Sequence, residues 1–292
     1  MHPKRRIYIL FSLVLAAICY LELKAQNKLP FLKAKLVTEM NEEVNESSGL
    51  VYFANAFWTM NDSGGKNILY EIDPSTGKIG RELTITNAEN IDWEELTADD
   101  QYIYIGDTGD NGHRRDEKQI YRISKATILK STASRNIKSE IIRFSYPESD
   151  DFKKYDAEAL ISDGKLIHIF TKDLLESKHF TIPAKPGNYT ATYIEKFASK
   201  GQVTAAAYNK KSKSIILVGY FAFGDRLLWK LSGFTNNEFF NGKVEKFSLG
   251  DLSLTSQVEA VCFDKNDKLY ISNERFGSVN QSLWVLPDTF SK

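Results

Sequence analysis

Five short segments of this 292-residue sequence open alike, on side chains of the kind that hold a hard cation. They are Ser48-Gly49-Leu50, Glu94-Glu95-Leu96, Glu158-Ala159-Leu160, Thr204-Ala205-Ala206 and Glu259-Ala260-Val261, with successive starts 46, 64, 46 and 55 residues apart. Brought together in a narrow, partly dehydrated channel, the glutamates would repel one another. Raised pKa values or a bound cation must relieve that cost, and a cation is the simpler remedy. A set made only of carboxylates and hydroxyls is hard and suits calcium better than zinc, with waters completing about seven ligands. Ser48, Glu94, Glu158, Thr204 and Glu259 are therefore the expected metal ligands, with calcium the expected cofactor. The alternative is a wet polar channel in which the glutamates bond to backbone amides and water.

These residues converge only if the chain repeats. After residue 30, apolar residues alternate or cluster in short runs separated by Gly, Asn, Asp and Ser, with one brief helical stretch at Lys125 to Leu129, so the chain reads as all-β. One unit recurs five times: a small-residue strand, a strongly apolar strand, a polar loop, an aromatic strand and an outer strand. ESSGLVY (46–52), AFWTM (56–60), ILYEID (68–73) and RELTIT (81–86) form the first unit. The fifth, QVEAVCFD (257–264), KLYISN (268–273) and SLWVLP (282–287), lacks its outer strand, which the orphan segment FLKAKLVTEM (31–40) can supply. The pattern predicts a single β-propeller domain over 26–292, with five blades, closed by the N-terminal strand pairing with the last blade. A six-bladed ring with one degenerate blade is the alternative.

In a propeller, residues at the start of each innermost strand ring one mouth of the channel, on the face where each second strand ends. The loops there are NDSGGKN (61–67), GDTGDNGHRRDEKQ (106–119), TKDLLESK (171–178), GYFAFGDR (219–226) and SNERFGSVNQ (272–281). They offer Asp62, Asp107, Asn111, Arg114, Arg115, Lys172, Asp173, Arg226, Glu274 and Arg275 as candidate ligand-binding residues. The Asp107–Gly112 stretch is like a calcium loop, but Lys118 falls where an EF-hand needs its bidentate glutamate, and no helix pair flanks it. His113, His168 and His179 lack tight metal spacing, and no G-x-S-x-G, P-loop or Cys-x-x-Cys occurs.

The N-terminus has the layout of a secretory signal peptide: Lys4-Arg5-Arg6, an apolar run of about 15 residues from Ile7 to Leu21, then Leu23-Lys24-Ala25-Gln26. Residues 1–25 are expected to be cleaved, which places the protein in a periplasm or outside the cell and leaves no membrane span. Lipidation at Cys19 is disfavoured because Ile18 sits where a small residue is wanted. The whole chain has 38 basic and 38 acidic residues, and losing the leader leaves a net charge of −3, which does not favour nucleic acid as a partner. Cys262 is then the only cysteine, and its apolar neighbours make it core filling in an expected monomer.

The ordered starts Ser-Gly-Leu, Glu-Glu-Leu, Glu-Ala-Leu, Thr-Ala-Ala and Glu-Ala-Val resemble those of the calcium-activated nucleotidases, or soluble apyrases. That resemblance implies a five-bladed propeller with axial calcium held by Ser48, Glu94, Glu158, Thr204 and Glu259, or by waters that these support. Where the family shows Asp-Asp-Arg-Thr-Gly in its first blade, this chain has Asn61-Asp62-Ser63-Gly64-Gly65, without the arginine that would meet a phosphate. The chain is more loosely similar to gluconolactonase and esterase-like phytase propellers. The expected function is an exported calcium-binding propeller that takes a small-molecule, extended polymer or protein ligand on its loop face. The alternatives are a calcium-dependent hydrolase of phosphate esters, nucleotides or lactones, with Glu94, Glu158 or Asp107 as base, and a protein-interaction scaffold.

Overall fold

A computed structural model describes residues 29–148, 155–221, 225–250 and 257–288, so the expected signal segment lies outside the described residues. β1 (Lys35–Glu39) leads into β2 (Ser47–Phe53), β3 (Ala56–Asn61), β4 (Ile68–Ile72) and β5 (Ile79–Ile85). β6 (Trp93–Ala98), β7 (Tyr102–Asp107) and β8 (Lys118–Ser124) follow, then helix α1 (Lys125–Leu129), β9 (Arg135–Ile137) and β10 (Glu140–Ser145). Next come β11 (Ala157–Ser162), β12 (Leu166–Thr171), β13 (Ser177–Pro183), β14 (Gly187–Thr190) and β15 (Thr192–Phe197). The remaining strands are β16 (Gln202–Asn209), β17 (Ser214–Phe221), β18 (Asp225–Ser232), β19 (Lys243–Ser248), β20 (Val258–Phe263), β21 (Leu269–Asn273) and β22 (Ser282–Val285).

These strands form five antiparallel blades, each starting on an innermost strand: β2, β6, β11, β16 and β20. The innermost strands neighbour one another in order, and β20 returns to β2, so the ring is five-bladed and closed. The fifth blade takes β1 as its outer strand, with Lys35 opposite Val285 and Glu39 opposite Ser282. One departure from the four-strand repeat lies at the rim. β9 adds in parallel to β5, and β14 adds in parallel to β10, so two blades have a fifth strand borrowed from the next blade's connection. Both are short and mostly solvent-facing, which leaves no hydrophobic alternation to announce them, and both cover an outer sheet edge.

The strongly apolar second strand of each unit has a direct explanation. It lies mid-blade with both faces buried, so successive side chains enter different interfaces. Ile215 and Leu217 of β17 pack toward the third blade, whereas Ile216 and Val218 pack toward the fifth. The buried apolar residues accordingly fall into five clusters, one between each pair of adjacent blades. Trp58 and Trp93 anchor the first interface, and Phe57, Leu283 and Cys262 help seal the interface between the last blade and the first.

The interface between the third and fourth blades also contains a polar relay. His168 Nδ1 lies 2.9 Å from His179 Nε2, and His179 Nδ1 lies 3.3 Å from Glu195 Oε1. Glu195 in turn accepts the backbone N–H groups of Phe239 and Phe240 from the fourth blade. The His179 ring packs against Phe170 and Phe239, with centroids 5.0 and 4.8 Å away. Burial pushes the His179 pKa down to about 4, with the neighbouring His168 working in the same direction and Glu195 against it. An unfolded chain binds this proton near pH 6.5 and the folded chain does not, so stability falls as pH drops from 6.5 toward 4. Between pH 7 and pH 4.5, urea unfolding should show a loss of about 2–3 kcal/mol from this group. His179→Phe should flatten that part of the profile, and an unchanged slope would assign the loss elsewhere.

Candidate metal centre

The five residues marked by the repeat do open the innermost strands, and each strand carries an irregularity at that point. In four blades the extra, unpaired residue of the bulge is the repeat residue itself: Glu94, Glu158, Thr204 or Glu259. In the first blade it is Gly49, whose φ of +69° and lack of a side chain bring the backbone against Leu96. A bulge bends the strand and re-aims its side chain, which is how a strand running beside the axis can present a carboxylate to the channel mouth.

The hydroxyls do something different from the glutamates. Ser48 Oγ donates to the Glu94 carbonyl at 2.6 Å, and Thr204 Oγ1 donates to the Val258 carbonyl at 2.6 Å. Thr108 makes the equivalent link to the Ala157 carbonyl at 2.6 Å. Each hydroxyl bonds to the innermost strand of the next blade rather than pointing its proton into the mouth.

Two overlapping sets of carboxylates lie within reach of a single ion. Oxygens of Asp62, Asp92 and Glu94 lie within 4.8 Å of one another, and so do oxygens of Glu94, Asp156 and Glu158. Asp92 and Asp156 were not singled out by the repeat, yet both stand two residues before a ring glutamate, in Asp92-Trp93-Glu94 and Asp156-Ala157-Glu158. That Asp-x-Glu spacing is the signal that could have found them. Asn90 Nδ2 donates to the Asn61 and Asp62 carbonyls at 3.0 and 2.9 Å, tying the Asp62 loop to the segment that carries Asp92. The Asp107 loop wedges between the two Asp-x-Glu segments: Gly109 N–H bonds to the Asp92 carbonyl and Asp110 N–H to Asp156 Oδ1. A methyl group on Gly109 would sit 2.2 Å from Glu94 Oε1, so only glycine lets this loop approach the carboxylates.

Lys172, directly after β12, is a cation facing this group. Its ammonium bonds to Glu158 Oε1, and Glu259 and Tyr220 also lie within its electrostatic reach. Burial works against the charged lysine, but Glu158 and Glu259 outweigh it and hold its pKa above the ordinary value. The carboxylates are pushed the other way. Burial and then Glu158 and Asp62 raise Glu94 well above normal, and burial and then Glu158 raise Glu259. Asp62 is raised to about 6 by burial and by Asp92 and Glu274, and Glu158 to about 8 by burial despite Lys172. Lys172 faces the glutamates, and Arg115 and Lys118 act on Asp92, yet Asp62, Asp92, Glu94, Glu158 and Glu259 all stay raised. Glu158 is 3% exposed, yet its Oε2 has no hydrogen-bond partner among the described residues. A hard cation would supply that missing partner, and the donor set fits metal binding.

The other expected ligand residues divide. Glu274 is half-buried, accepts from Gln257 Nε2 and contributes to the field on Asp62. Asp107 is buried beside Asp92: its Oδ1 pairs with Arg115 at 2.8 Å and accepts the Asp92 N–H, while its Oδ2 has no hydrogen-bond partner among the described residues. Arg115 also donates to the Gly109 carbonyl at 2.9 Å. Lys118, where an EF-hand would place glutamate, is buried and pairs with Asp110 at 2.6 Å, so this loop is a brace. Asp173 accepts from Thr171, and Arg226 is buried in β18. Asn111, Arg114 and Arg275 are exposed on the loops, outside the carboxylate sets.

Among the described residues, both carboxylate sets that could hold an ion lie at this mouth. The opposite end of the channel is a cavity of about 180 Å³ with Leu50, Leu96, Ala206 and Val261 in its lining. A larger groove of about 720 Å³ on that far face contains Tyr104 and Arg122, but these are engaged internally, Tyr104 with Asp99 at 2.6 Å and Arg122 with Glu140 and the Ala184 carbonyl.

No family model and no curated protein matches the sequence. Solved structures are similar in fold. A PQQ-bound aldose sugar dehydrogenase from Streptomyces coelicolor matches at TM-score 0.50 and 11% identity, over 87% of this chain and 97% of that one. Regucalcin from Agrobacterium tumefaciens, described as a calcium-binding protein, matches at TM-score 0.46 and 9% identity, over 88% and 95%. Hydrazine synthase from Kuenenia stuttgartiensis matches at TM-score 0.41 and 11% identity, and this chain covers 57% of its length. At such identities the likeness extends to the propeller fold. Among the described residues, no helix is long and apolar enough to cross a membrane.

Glu95, next to Glu94, is wholly buried and unanticipated. It accepts the N–H of Leu96 at 2.9 Å, that of Ala206 at 2.8 Å and that of Leu160, joining three innermost strands through one side chain. Glu95→Ala would leave buried donors unpaired at roughly 1–3 kcal/mol each. Chemical denaturation of this variant should show a loss of about 3–5 kcal/mol, and a loss below about 1 kcal/mol would mean that water replaces the carboxylate freely.

Proposed function

We propose that this chain is an exported, monomeric propeller that binds calcium at the channel mouth and uses it to hold a ligand on the loop face. The observation that carries the reading is the buried, unpartnered Glu158 Oε2 within converging carboxylates that Lys172 alone does not neutralise. Asp62, Asp92, Glu94, Asp156 and Glu158 are the residues that would hold the ion, with Glu259 and Glu274 adding to its field. When bound, calcium offsets the carboxylate repulsion and offers open coordination positions to a ligand oxygen. Ser48 and Thr204 serve the site indirectly, by fixing the strands that carry it.

The rim supports a ligand with apolar as well as oxygen-bearing parts. Loops of the third, fourth and fifth blades on this face carry the exposed side chains Leu174, Leu175, Phe221 and Phe276. A small molecule, a polymer segment or a protein loop that presents a carboxylate or carbonyl oxygen fits this chemistry. In this reading Glu94 and Glu158 serve as ion ligands and Asp107 is paired through one oxygen to Arg115, so no side chain is given a catalytic role.

Thermal unfolding of the purified protein, in chelator and then in calcium on the order of millimolar, tests the reading, with magnesium as control. Saturation should raise Tm by several degrees, corresponding to about 1–3 kcal/mol. Glu94→Gln and Gly109→Ala should each abolish the shift, the first by removing a charge common to both carboxylate sets and the second by filling the approach to it. If calcium leaves Tm unchanged, Lys172 and protonation alone relieve the mouth, and the calcium reading fails.

A further inference from the structure

The two oxygens of Glu158 have different fates. Oε1 takes the Lys172 ammonium, whereas Oε2, in a side chain that is 3% exposed, has no hydrogen-bond partner among the described residues. Glu158 belongs to the set with Glu94 and Asp156, all three of them buried, so the unpartnered oxygen stands in the better enclosed of the two carboxylate sets. Asp156 likewise commits its Oδ1 to the Asp110 N–H, at 2.8 Å. Each of these two carboxylates therefore has one oxygen engaged by the protein and offers an ion the other. The two engagements differ in kind. An N–H is a neutral partner, but Lys172 brings a full charge and is held on several sides. Its own N–H bonds to the Asp156 carbonyl at 2.9 Å, and Tyr220 and Glu259 act on its ammonium from the fourth and fifth blades.

We infer that Lys172 tunes this site to weak, exchangeable calcium binding, by holding Glu158 to one-oxygen coordination and by keeping a positive charge beside the ion. This rests on the calcium reading given above and adds the residue that sets the affinity. An ammonium and a divalent ion on the two oxygens of one carboxylate stand about 5 Å apart. At that separation their repulsion weakens ion binding by about tenfold even at the dielectric of water, and a buried mouth screens less. Engaging the second oxygen of Glu158 also takes away the bidentate contact with which tighter calcium sites complete their coordination. Together these effects place the dissociation constant at roughly 10⁻⁴–10⁻³ M, where calcium enters and leaves as its concentration in the surroundings changes. A ligand held through the ion is then held only where calcium is abundant, and the lysine makes it so.

Calcium titration by isothermal calorimetry, with circular dichroism as a check of fold, tests this on three proteins. The unmodified chain should bind calcium with a dissociation constant of roughly 10⁻⁴–10⁻³ M. Lys172→Met, which keeps the apolar stem and removes the charge, should bind at least about tenfold more tightly. Lys172→Arg, which keeps the charge, should bind no more tightly than the unmodified chain. A dissociation constant below about 10⁻⁵ M for the unmodified chain would overturn the inference, and that result does not depend on any variant folding. Equal or weaker binding by folded Lys172→Met, or tightening by Lys172→Arg as large as that by Lys172→Met, would also overturn it and reduce Lys172 to a structural ion pair. No binding by the unmodified chain in millimolar calcium, with binding by Lys172→Met, would overturn the calcium reading while upholding the lysine as the charge that opposes the ion. No binding by either would overturn both.

Discussion

A propeller blade has an edge that its own strands cannot satisfy. The innermost strand pairs outward with the second strand, and its other side faces the axis, where backbone N–H and C=O groups have no strand to meet. Leaving such groups buried and unpaired costs roughly 1–3 kcal/mol each. Here side chains do the pairing. Ser48, Thr108 and Thr204 each bond to the carbonyl edge of the next blade, and Glu95 gathers N–H groups from three strands. These links place the five innermost strands relative to one another, and through them every group at the mouth.

The same links set the character of the site. Ser48 and the bulged Thr204 are committed to neighbouring carbonyls, which leaves the three bulged glutamates, Glu94, Glu158 and Glu259, to supply the charge at the mouth. The Asp-x-Glu segments and the Asp62 loop add charge that the fold itself does not use. Burial raises the pKa values of Glu94, Glu158 and Glu259, so the mouth is an electrostatic liability in an otherwise well-packed protein. Five apolar interfaces supply the stability that tolerates it. Functional sites are where such perturbed carboxylates gather most often, and this mouth is the candidate that the fold presents.

The architecture was legible because its signals are periodic. Second strands buried on both faces read as continuous apolar runs, the short helix at Lys125–Leu129 stands out by composition, and the incomplete fifth unit required an outer strand from residues 31–40. The parallel additions β9 and β14 escaped because a three- or four-residue, mostly exposed strand leaves no such imprint. At the site, the repeat located the ring glutamates, and loop composition located Asp62 and Lys172. It did not distinguish the role of Ser48 or Thr204, because a hydroxyl at a strand start serves a metal or a carbonyl equally well in sequence. Glu95 was hidden by its neighbour: with two adjacent glutamates, only the bulge decides which one turns to the mouth and which to the backbone.

That last point has a general form. In a regular strand, Glu94 and Glu95 would point to opposite faces. The bulge between Trp93 and Glu95 breaks the alternation so that both serve the axis, Glu95 by holding three blades together and Glu94 by joining both carboxylate sets. The residue that closes the ring and the residue that gives it chemistry are thus covalent neighbours. Any displacement of Glu95 moves Glu94 with it, and the charge at the mouth is held in place by the same contacts that hold the fold.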